Sequence, residues 1–371
     1  MAEMVGVDVG ATAVRVACVA GVDSRGMAII TKIGIVPLPD GAIVGGRIRS
    51  PQDVSLTIVR ALKEAGAKKY GFVLGMESSD VAISNILLPS SLKVEERSMA
   101  IKTMGKAISP TFSIEDSTVS THSRDRVERQ GVTMTSVNVA AALSEEVELL
   151  KSICSLAGLA PRAIDLSAAG LLRAYTRSNP DNHEIGTVVD IGASRITVAT
   201  RDGMYLRSVR TISGAGSEVT RAIMQATGEE FKKGEEIKLT TKLVRSSGSM
   251  SGQGYRMDES YEADSITPAE RALSNSVDLL VDSIALAIEA DAAQHGNISQ
   301  GIVLTGGTAL LRGFKERLTS RVGIPTTIGR PWADIERSRR NALLFKEGNI
   351  HPILLMNIGL AAGLALWKDP R

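Results

Sequence analysis

At 371 residues the chain is longer than one small core serves, so two or more lobes are expected. Lys and Arg number 43 against 41 Asp and Glu, and the net charge of +2 gives no bulk attraction for nucleic acid. Cys18 and Cys154 are the only cysteines, which excludes a disulfide framework or cysteine metal cluster and favours a reducing compartment.

The opening MVGVDVGATAVRVACVA alternates apolar and small residues about an Asp-Val-Gly turn, predicting two strands joined by a tight hairpin. AIITKIGIVPLP continues as a third strand into a Pro-marked turn. PQDVSLTIVRALKEAG has helical periodicity, with Ser50 placed to cap it, Pro51 at its first position and Gly66 just past its end. YGFVLGM follows as a short buried strand, so the chain opens as a mixed sheet with a helix on its face. From about Ser84 the texture changes. SNILLPSSLKVEERSMAIKTMGKAIS predicts a strand, a Pro turn and an amphipathic helix, followed by the polar strands STVSTHS and TSVNVAAAL. SEEVELLKSICSLAGL predicts a helix with Ser144 as N-cap, Glu145 and Glu146 in the first turn and Gly158 at its stop. This stretch has the size of a small inserted domain.

At about Ile164 a new run begins, and TVVDIGASRITVATRDG repeats the opening VGVDVGATAVRVACVAG. Each copy has an apolar strand ending in Asp-x-Gly, then Ala and a hydroxyl residue, then a second apolar strand. Two related hairpins imply two related lobes facing each other. RSSGSMSGQGYRMDESYEADS is polar and Ser/Gly-rich, the composition of a mobile excursion. TPAERALSNSVDLLVDSIALAIEADAAQHG predicts a long helix with Pro268 in its first turn, and SQGIVLTGGTALLRGFKERLTSRVG reads strand, Gly-Gly turn, helix. The N-terminus lacks the pattern of a signal peptide. The closing PILLMNIGLAAGLALW is shorter than the ~20 residues of a spanning helix and carries Asn357, Gly359 and Gly363, so a buried terminal helix is expected.

A phosphate tail needs backbone N–H donors at close range, and a turn without bulky Cβ groups supplies them. Gly10 and Gly192 suit that contact, and Thr12 and Ser194, at one offset in the two hairpins, can add hydroxyls. Asp8 and Asp190 end the two strands where carboxylates can hold Mg²⁺ through its waters. Arg15 and Arg195 share no offset, because Arg195 aligns with Ala13, and each is open to the phosphate tail or to solvent. One Asp-x-Gly alone is an ordinary hairpin turn. Two matched copies, with a third turn at Gly306, Gly307 and Thr308 between an apolar strand and a helix, point to a nucleotide.

This order of two Asp-x-Gly hairpins and a strand–Gly-Gly–helix resembles the actin and sugar-kinase superfamily of ATPases. Within it the chain resembles the type IV pilus assembly PilM family, relatives of the division protein FtsA. The resemblance rests on LPSSLKVEERSMAIKTMGKAI, on TSVNVAAALSEEVELLKSICSLAGLAPRAIDLSAAGLLRAY, on ISGAGSEVTRAIMQATGEEFKKGEEIK and on MNIGLAAGLALW. It implies an α/β, actin-like (ribonuclease H-like) two-lobed ATPase fold with an inserted small α/β domain. Lobe one would take residues 1–84, 164–185 and the closing helix 350–371, the inserted domain 85–163, and lobe two 186–349.

The resemblance also implies ATP and Mg²⁺ as ligands. Gly10, Ala11, Thr12, Arg15, Gly192, Ala193, Ser194 and Gly214 would lie about the phosphates, and Glu235 and Lys238 on one helix would flank ribose and base. An ordinary salt bridge on a solvated helix is the plainer reading of that last pair. Gly306, Gly307 and Thr308 would let backbone approach the base, and Asp190 would be the catalytic carboxylate. The family's first hairpin usually reads DIGSSSVK, whereas Ala11, Ala13 and Arg15 stand here, and Ala193 takes the place of a second acidic residue found in actin. Asp165 and Ser167 are the candidates for the polar residue supplied beside the phosphates. This thin set implies a protein that holds ATP with at most slow hydrolysis.

The implied role is a cytoplasmic scaffold of the pilus machine, peripheral to the inner face of the membrane through partners. It would bind the cytoplasmic N-terminal tail of a PilN-like membrane protein in a groove beside the inserted domain, and other pilus proteins or itself. An FtsA-like filament would want an amphipathic tail after the last helix, whereas the sequence ends KDPR; a small-molecule kinase would want an acceptor pocket with an Asp base, and no such motif stands out. His122, His183, His295 and His351 have no metal-ligand spacing, and the basic IERSRRNALLFK fits a solvated face or a partner patch.

Overall fold

A computed structural model describes residues 3–24, 27–175, 186–243, 266–296, 299–329 and 358–367. The polar run 245–265, the basic run 335–346, His183 and His351 lie outside these residues. The chain begins with β1 (Met4–Val9), β2 (Ala13–Val22) and β3 (Ala28–Pro37), each antiparallel to the one before. A small hairpin of β4 (Ile43–Val44) and β5 (Arg47–Ile48) turns through Gly45 and Gly46, at φ +57° and +76°, the left-handed pair that a two-residue hairpin turn favours. α1 (Pro51–Glu64) starts as predicted: the Ser50 hydroxyl accepts from the Asp53 N–H, and Pro51 fills the first turn, where no intrahelical donor is lost. β6 (Val73–Met76) then runs parallel to β1.

The inserted domain is built by β7 (Val81–Pro89), α2 (Val94–Thr103), α3 (Gly105–Ile108), β8 (Ser117–Arg129) and β9 (Val132–Leu143). Its sheet has the order β7-β9-β8, and Ile86, Leu88, Ile101, Ile108, Val137 and Val139 form a core of its own. α4 (Ser144–Leu156) does not join that core. Its Val147, Leu150, Ile153 and Cys154 pack with Val54, Ile58 and Leu62 of α1, and Ser55 donates to the Ile153 carbonyl at 2.7 Å. Residues 144–163, grouped by sequence with the insertion, therefore pack with the first lobe. Ser144 is the first helical residue and not the cap, because its N–H donates to the Asp116 carbonyl and its hydroxyl meets that of Thr118. β10 (Ala163–Leu166) adds parallel to β6, giving the sheet order β10-β6-β1-β2-β3, and α5 (Ser167–Tyr175) follows.

The second lobe repeats the plan. β11 (Thr187–Ile191), β12 (Arg195–Asp202) and β13 (Tyr205–Ser213) are antiparallel. After α6 (Gly216–Thr227), α7 (Phe231–Thr240) and α8 (Pro268–His295), β14 (Ile302–Thr305) pairs parallel with β11. α9 (Phe314–Val322) and β15 (Thr326–Ile328) complete the sheet order β13-β12-β11-β14-β15, the same order and directions as in the first sheet. Between β14 and α9, residues Gly307–Leu310 form a single 3₁₀ turn. The helix expected directly after the Gly-Gly turn thus begins only at Phe314 and does not itself cap the site.

The closing helix α10 (Gly359–Ala365) is buried throughout. It lies on the first sheet and crosses α5, which lies on the second. Leu171 and Tyr175 of α5 and Leu360 and Leu364 of α10 share one core with Val73 of the first lobe and Val188 and Val303 of the second. Small residues make this layer possible: a Cβ on Gly363 would overlap the Gly170 carbonyl, and one on Gly6 the Ala361 carbonyl. Among the described residues no helix is long and apolar enough to cross a membrane.

Candidate functional site

The repeated register places two like hairpins across a cleft of about 420 Å³ between the lobes. In the first, Val9 pairs with Val14 and the Gly10 N–H donates to the Ala13 carbonyl at 3.1 Å. In the second, Ile191 pairs with Ile196 and the Gly192 N–H donates to the Arg195 carbonyl at 3.0 Å. The turn residues Ala11 and Thr12, and Ala193 and Ser194, line the cleft. Among the described residues no acceptor takes up their four N–H groups.

Thirteen of the predicted residues line this cleft: Asp8, Gly10, Ala11, Thr12, Arg15, Asp190, Gly192, Ala193, Ser194, Glu235, Lys238, Gly307 and Thr308. Gly214 and Gly306 stand behind it. Gly214, at φ +81°, donates its N–H to the Ser194 carbonyl, and the following Gly216 and Ser217 N–H groups bond the carbonyls of Gly192 and Ala193, which straps the start of α6 to the second hairpin. Gly306, at φ +86°, approaches the end of β11 so closely that a Cβ would overlap the Ile191 carbonyl. Thr308 donates its hydroxyl to the Gly192 carbonyl at 3.1 Å.

The two arginines that sequence left open have different tasks. Arg15 sits opposite Asp8 across the β1–β2 ladder, and its Nη1 donates to Asp8 Oδ2 at 3.1 Å. Arg195 reaches from the second lobe to the first, where its Nη2 donates to the Gly46 carbonyl and its Nε lies 3.5 Å from Glu77 Oε2. Glu77 is a site residue that the sequence reading missed. The strand registers equate it with Gly307: β6 beside β1 puts Glu77 level with Gly10, and β14 beside β11 puts Gly307 level with Gly192. The signal was its place directly after the VLGM strand. Ser217, Phe231, Leu239 and Thr305 also line the cleft unforeseen.

Asp8, Glu77 and Asp190 bring three carboxylates to one cleft. Burial raises the Asp8 pKa against the pull of Arg15. Burial pushes Glu77 up to about 7, opposed by Arg195 and reinforced by Asp8 and Asp190. Burial likewise pushes Asp190 up to about 7, with the Asp8 charge adding to it and Arg15 opposing. Asp8 Oδ1 is buried and meets no hydrogen-bond partner among the described residues. An acceptor without a donor beside crowded carboxylates fits a cation or its waters. Among the described residues no three His, Cys, Asp or Glu side chains converge to enclose a metal, so coordination would run through water or ligand oxygens.

At the other end of the cleft the Glu235–Lys238 pair is no ordinary surface bridge. Lys238 is 5% exposed, and its three ammonium donors meet the Gly216 carbonyl at 3.1 Å, Thr220 Oγ1 at 3.0 Å and Glu235 Oε1 at 2.6 Å. Thr220 also donates to Glu235 Oε1. Lys238 thus ties α7 to α6 and fixes the Glu235 carboxylate at the cleft. Asp165 is turned away: it pairs with Arg173 of α5, while Ser167 is buried against the small Gly75. Neither lines the cleft, which overturns the expectation that they supply its polar residue.

A family model described as type IV pilus assembly protein PilM matches residues 6–366. The chain is 25% identical over 201 residues to cell division protein FtsA of Pseudomonas aeruginosa, covering 53% of this chain and 47% of that protein. It is 33% identical over 163 residues to FtsA of Escherichia coli K12, covering 39% and 37%. The chain thus spans about half, or less, of the length of the curated relatives it matches. Among solved structures, a PilM-PilN type IV pilus biogenesis complex matches with a TM-score of 0.73 at 22% identity over 98% of both chains. A diol dehydratase-reactivating factor in nucleotide-free form matches at 0.51 and 10% identity over 99% of both. With the sheet order repeated in both lobes, these likenesses make the fold the actin-like one expected from sequence.

Proposed function

The chain belongs to the family of type IV pilus assembly protein PilM, and from that membership we propose that it holds ATP in the interlobe cleft and carries the cytoplasmic tail of a PilN-like membrane protein. The observation that carries the ATP reading is the pair of matched hairpin tips, whose four N–H groups at Ala11, Thr12, Ala193 and Ser194 lack acceptors among the described residues. A triphosphate between them satisfies both tips at once, and so couples the lobes. Thr12 and Ser194 add hydroxyls, and Gly10 and Gly192 keep the approach open. Glu235, positioned by Lys238, meets the ribose, and the backbone at Gly307 and Thr308, with Gly306 behind them, lies by the base.

Asp8 and Asp190 would hold Mg²⁺ through its waters, a reading supported by the unpartnered Asp8 Oδ1. Bound there, the ion supplies charge neutralisation at the phosphates and holds both carboxylates ionised. Asp190 and Glu77 are the groups placed to orient a water, and Asp190 is the catalytic candidate. Glu77 is engaged by Arg195, and no second carboxylate stands at Ala193, so hydrolysis is slow.

The tail lies in the mainly apolar groove of about 320 Å³ lined by His122 and Val139 of the inserted sheet, Ile164 at the edge of the first lobe, Trp367 after the closing helix and Leu206 of β13 in the second lobe. A tail in extended form suits a groove beside the edge strand β10. The protein works through this partner at the inner face of the membrane. Fluorescence anisotropy of a labelled PilN-type tail peptide, with and without ATP and Mg²⁺, tests the reading. Saturable binding that changes with nucleotide supports it, and no binding in either condition sinks it.

A further inference from the structure

A second cavity, of about 710 Å³, lies at the seam between the inserted domain and the second lobe, and it shares no wall with the interlobe cleft. The inserted domain contributes Lys106 of α3 and Arg124 of β8, and the second lobe contributes Arg207 and Arg210 of β13, against one lining carboxylate among the described residues, that of Asp202. Each arginine is anchored at its tip and spare at its neck. Arg124 Nη1 donates to Asp202 Oδ2 at 2.8 Å, with its guanidinium 4.3 Å from the Tyr205 ring. Arg207 Nη2 pairs with the buried Asp291, and Arg210 Nη2 reaches Gln294 Oε1 at only 3.4 Å. The Nε–H groups of all three arginines are buried and meet no acceptor among the described residues. Buried donors without partners are rare in folded proteins. All three belong to arginines that line one cavity, and their forked guanidinium groups match tetrahedral oxyanions, so an anion entering the cavity would meet three cations at once.

We propose that this cavity binds a small phosphate-bearing anion, clamped between Arg124 of the inserted domain and Arg207 and Arg210 of the second lobe. The volume is that of a small-molecule site, so the ligand is a phosphorylated small molecule more than a lone phosphate. Its occupancy joins two parts of the molecule that otherwise meet here through contacts such as Asn138 Nδ2 donating to the Leu206 carbonyl at 3.3 Å. Asn138 and Leu206 also line the apolar groove, so the anion would stiffen a wall that the two pockets share.

Isothermal titration of the full chain with inorganic pyrophosphate tests the proposal. It is run beside Arg124→Gln, Arg210→Gln and Arg210→Lys, and beside Ala11→Glu, which places a negative charge in the interlobe cleft. Ala11→Glu should keep binding at this cavity and lose only what pyrophosphate the interlobe cleft itself holds in the wild type. Arg124→Gln and Arg210→Gln should each weaken binding about tenfold, the scale of one charge-assisted hydrogen bond. Arg210→Lys, which keeps the charge and loses the fork, should fall between. Arg210 has few contacts to lose, and melting curves without ligand show whether each variant folds. Binding abolished by Ala11→Glu but retained by both glutamine variants overturns the proposal, as does no binding at millimolar pyrophosphate. Attachment to phosphatidylglycerol vesicles without affinity for pyrophosphate overturns it too, and would place the anion on a membrane.

Discussion

Replacing Lys238 with Met separates two tasks that the structure gives one side chain. The ammonium is buried and all three of its donors are used, so Lys238→Met leaves the Gly216 carbonyl and the Glu235 carboxylate short of a partner. Breaking a fully buried ion pair costs about 3–5 kcal/mol. Here Glu235 keeps 36% of its side chain exposed, and water takes over part of the loss, so about 2 kcal/mol is expected. The same change frees the Glu235 carboxylate to rotate. If that carboxylate holds the ribose, one charge-assisted hydrogen bond of about 1.5–3 kcal/mol is lost, and ATP binds roughly tenfold or more weakly. Urea unfolding gives the first quantity, and titration with a fluorescent ATP analogue at a temperature where the variant is folded gives the second. A destabilised variant with wild-type affinity would refute the ribose assignment and leave Lys238 as a tie between α6 and α7. A variant of unchanged stability would refute the buried ion pair itself.

Gly363→Ala should destabilise the protein by about 1–3 kcal/mol in urea, because overpacking against the rigid Gly170 carbonyl outweighs the ~1 kcal/mol by which Ala favours a helix; a stabilised variant would mean that α5 and α10 are not in close contact. Without nucleotide or metal, stability should fall as pH rises from about 4 to 7. Glu77 and Asp190 have folded pKa values near 7, above their ordinary 4.5 and 3.8, so the folded chain holds more protons than the unfolded one between about pH 4 and 7. The stability they contribute is complete below the unfolded values and is lost through the folded ones. Asp291, whose pKa is lowered within its network of Ser208, Arg207 and Thr200, acts in the opposite sense but only below about pH 4. Glu77→Gln should flatten the slope, and an unchanged slope would remove Glu77 from the carboxylate cluster.

The fold was legible where chain-local chemistry decides it. The Asp-x-Gly hairpins, the Ser50–Pro51 start of α1 and the Pro268 start of α8 all lie where turn and capping preferences put them. What escaped was set by distant partners. SEEVELLKSIC follows the inserted sheet directly in sequence, yet its apolar face belongs to α1, and periodicity gives a face without naming what covers it. Lys238 reads as a solvated i,i+3 pair because its other partners, Gly216 and Thr220, come from a different helix. Glu77 escaped because the copies diverge after their second parallel strand, where one lobe has Met-Glu and the other Gly-Gly. Gly45-Gly46 between Val44 and Arg47 is a two-residue hairpin signal that could have been read from sequence, and its carbonyl is where Arg195 latches the lobes.

That two equivalent hairpins share one triphosphate is tested by titrating ATP and Mg²⁺ into Ala11→Glu and Ser194→Glu. Both residues sit at partly exposed turn tips, so each variant should fold, and each puts a carboxylate where phosphate oxygens would lie. One-to-one binding to the wild-type chain is expected, with a comparable loss, at least about a hundredfold, in both variants, since like charges at contact distance cost several kcal/mol when desolvated. Wild-type affinity in either variant would contradict it.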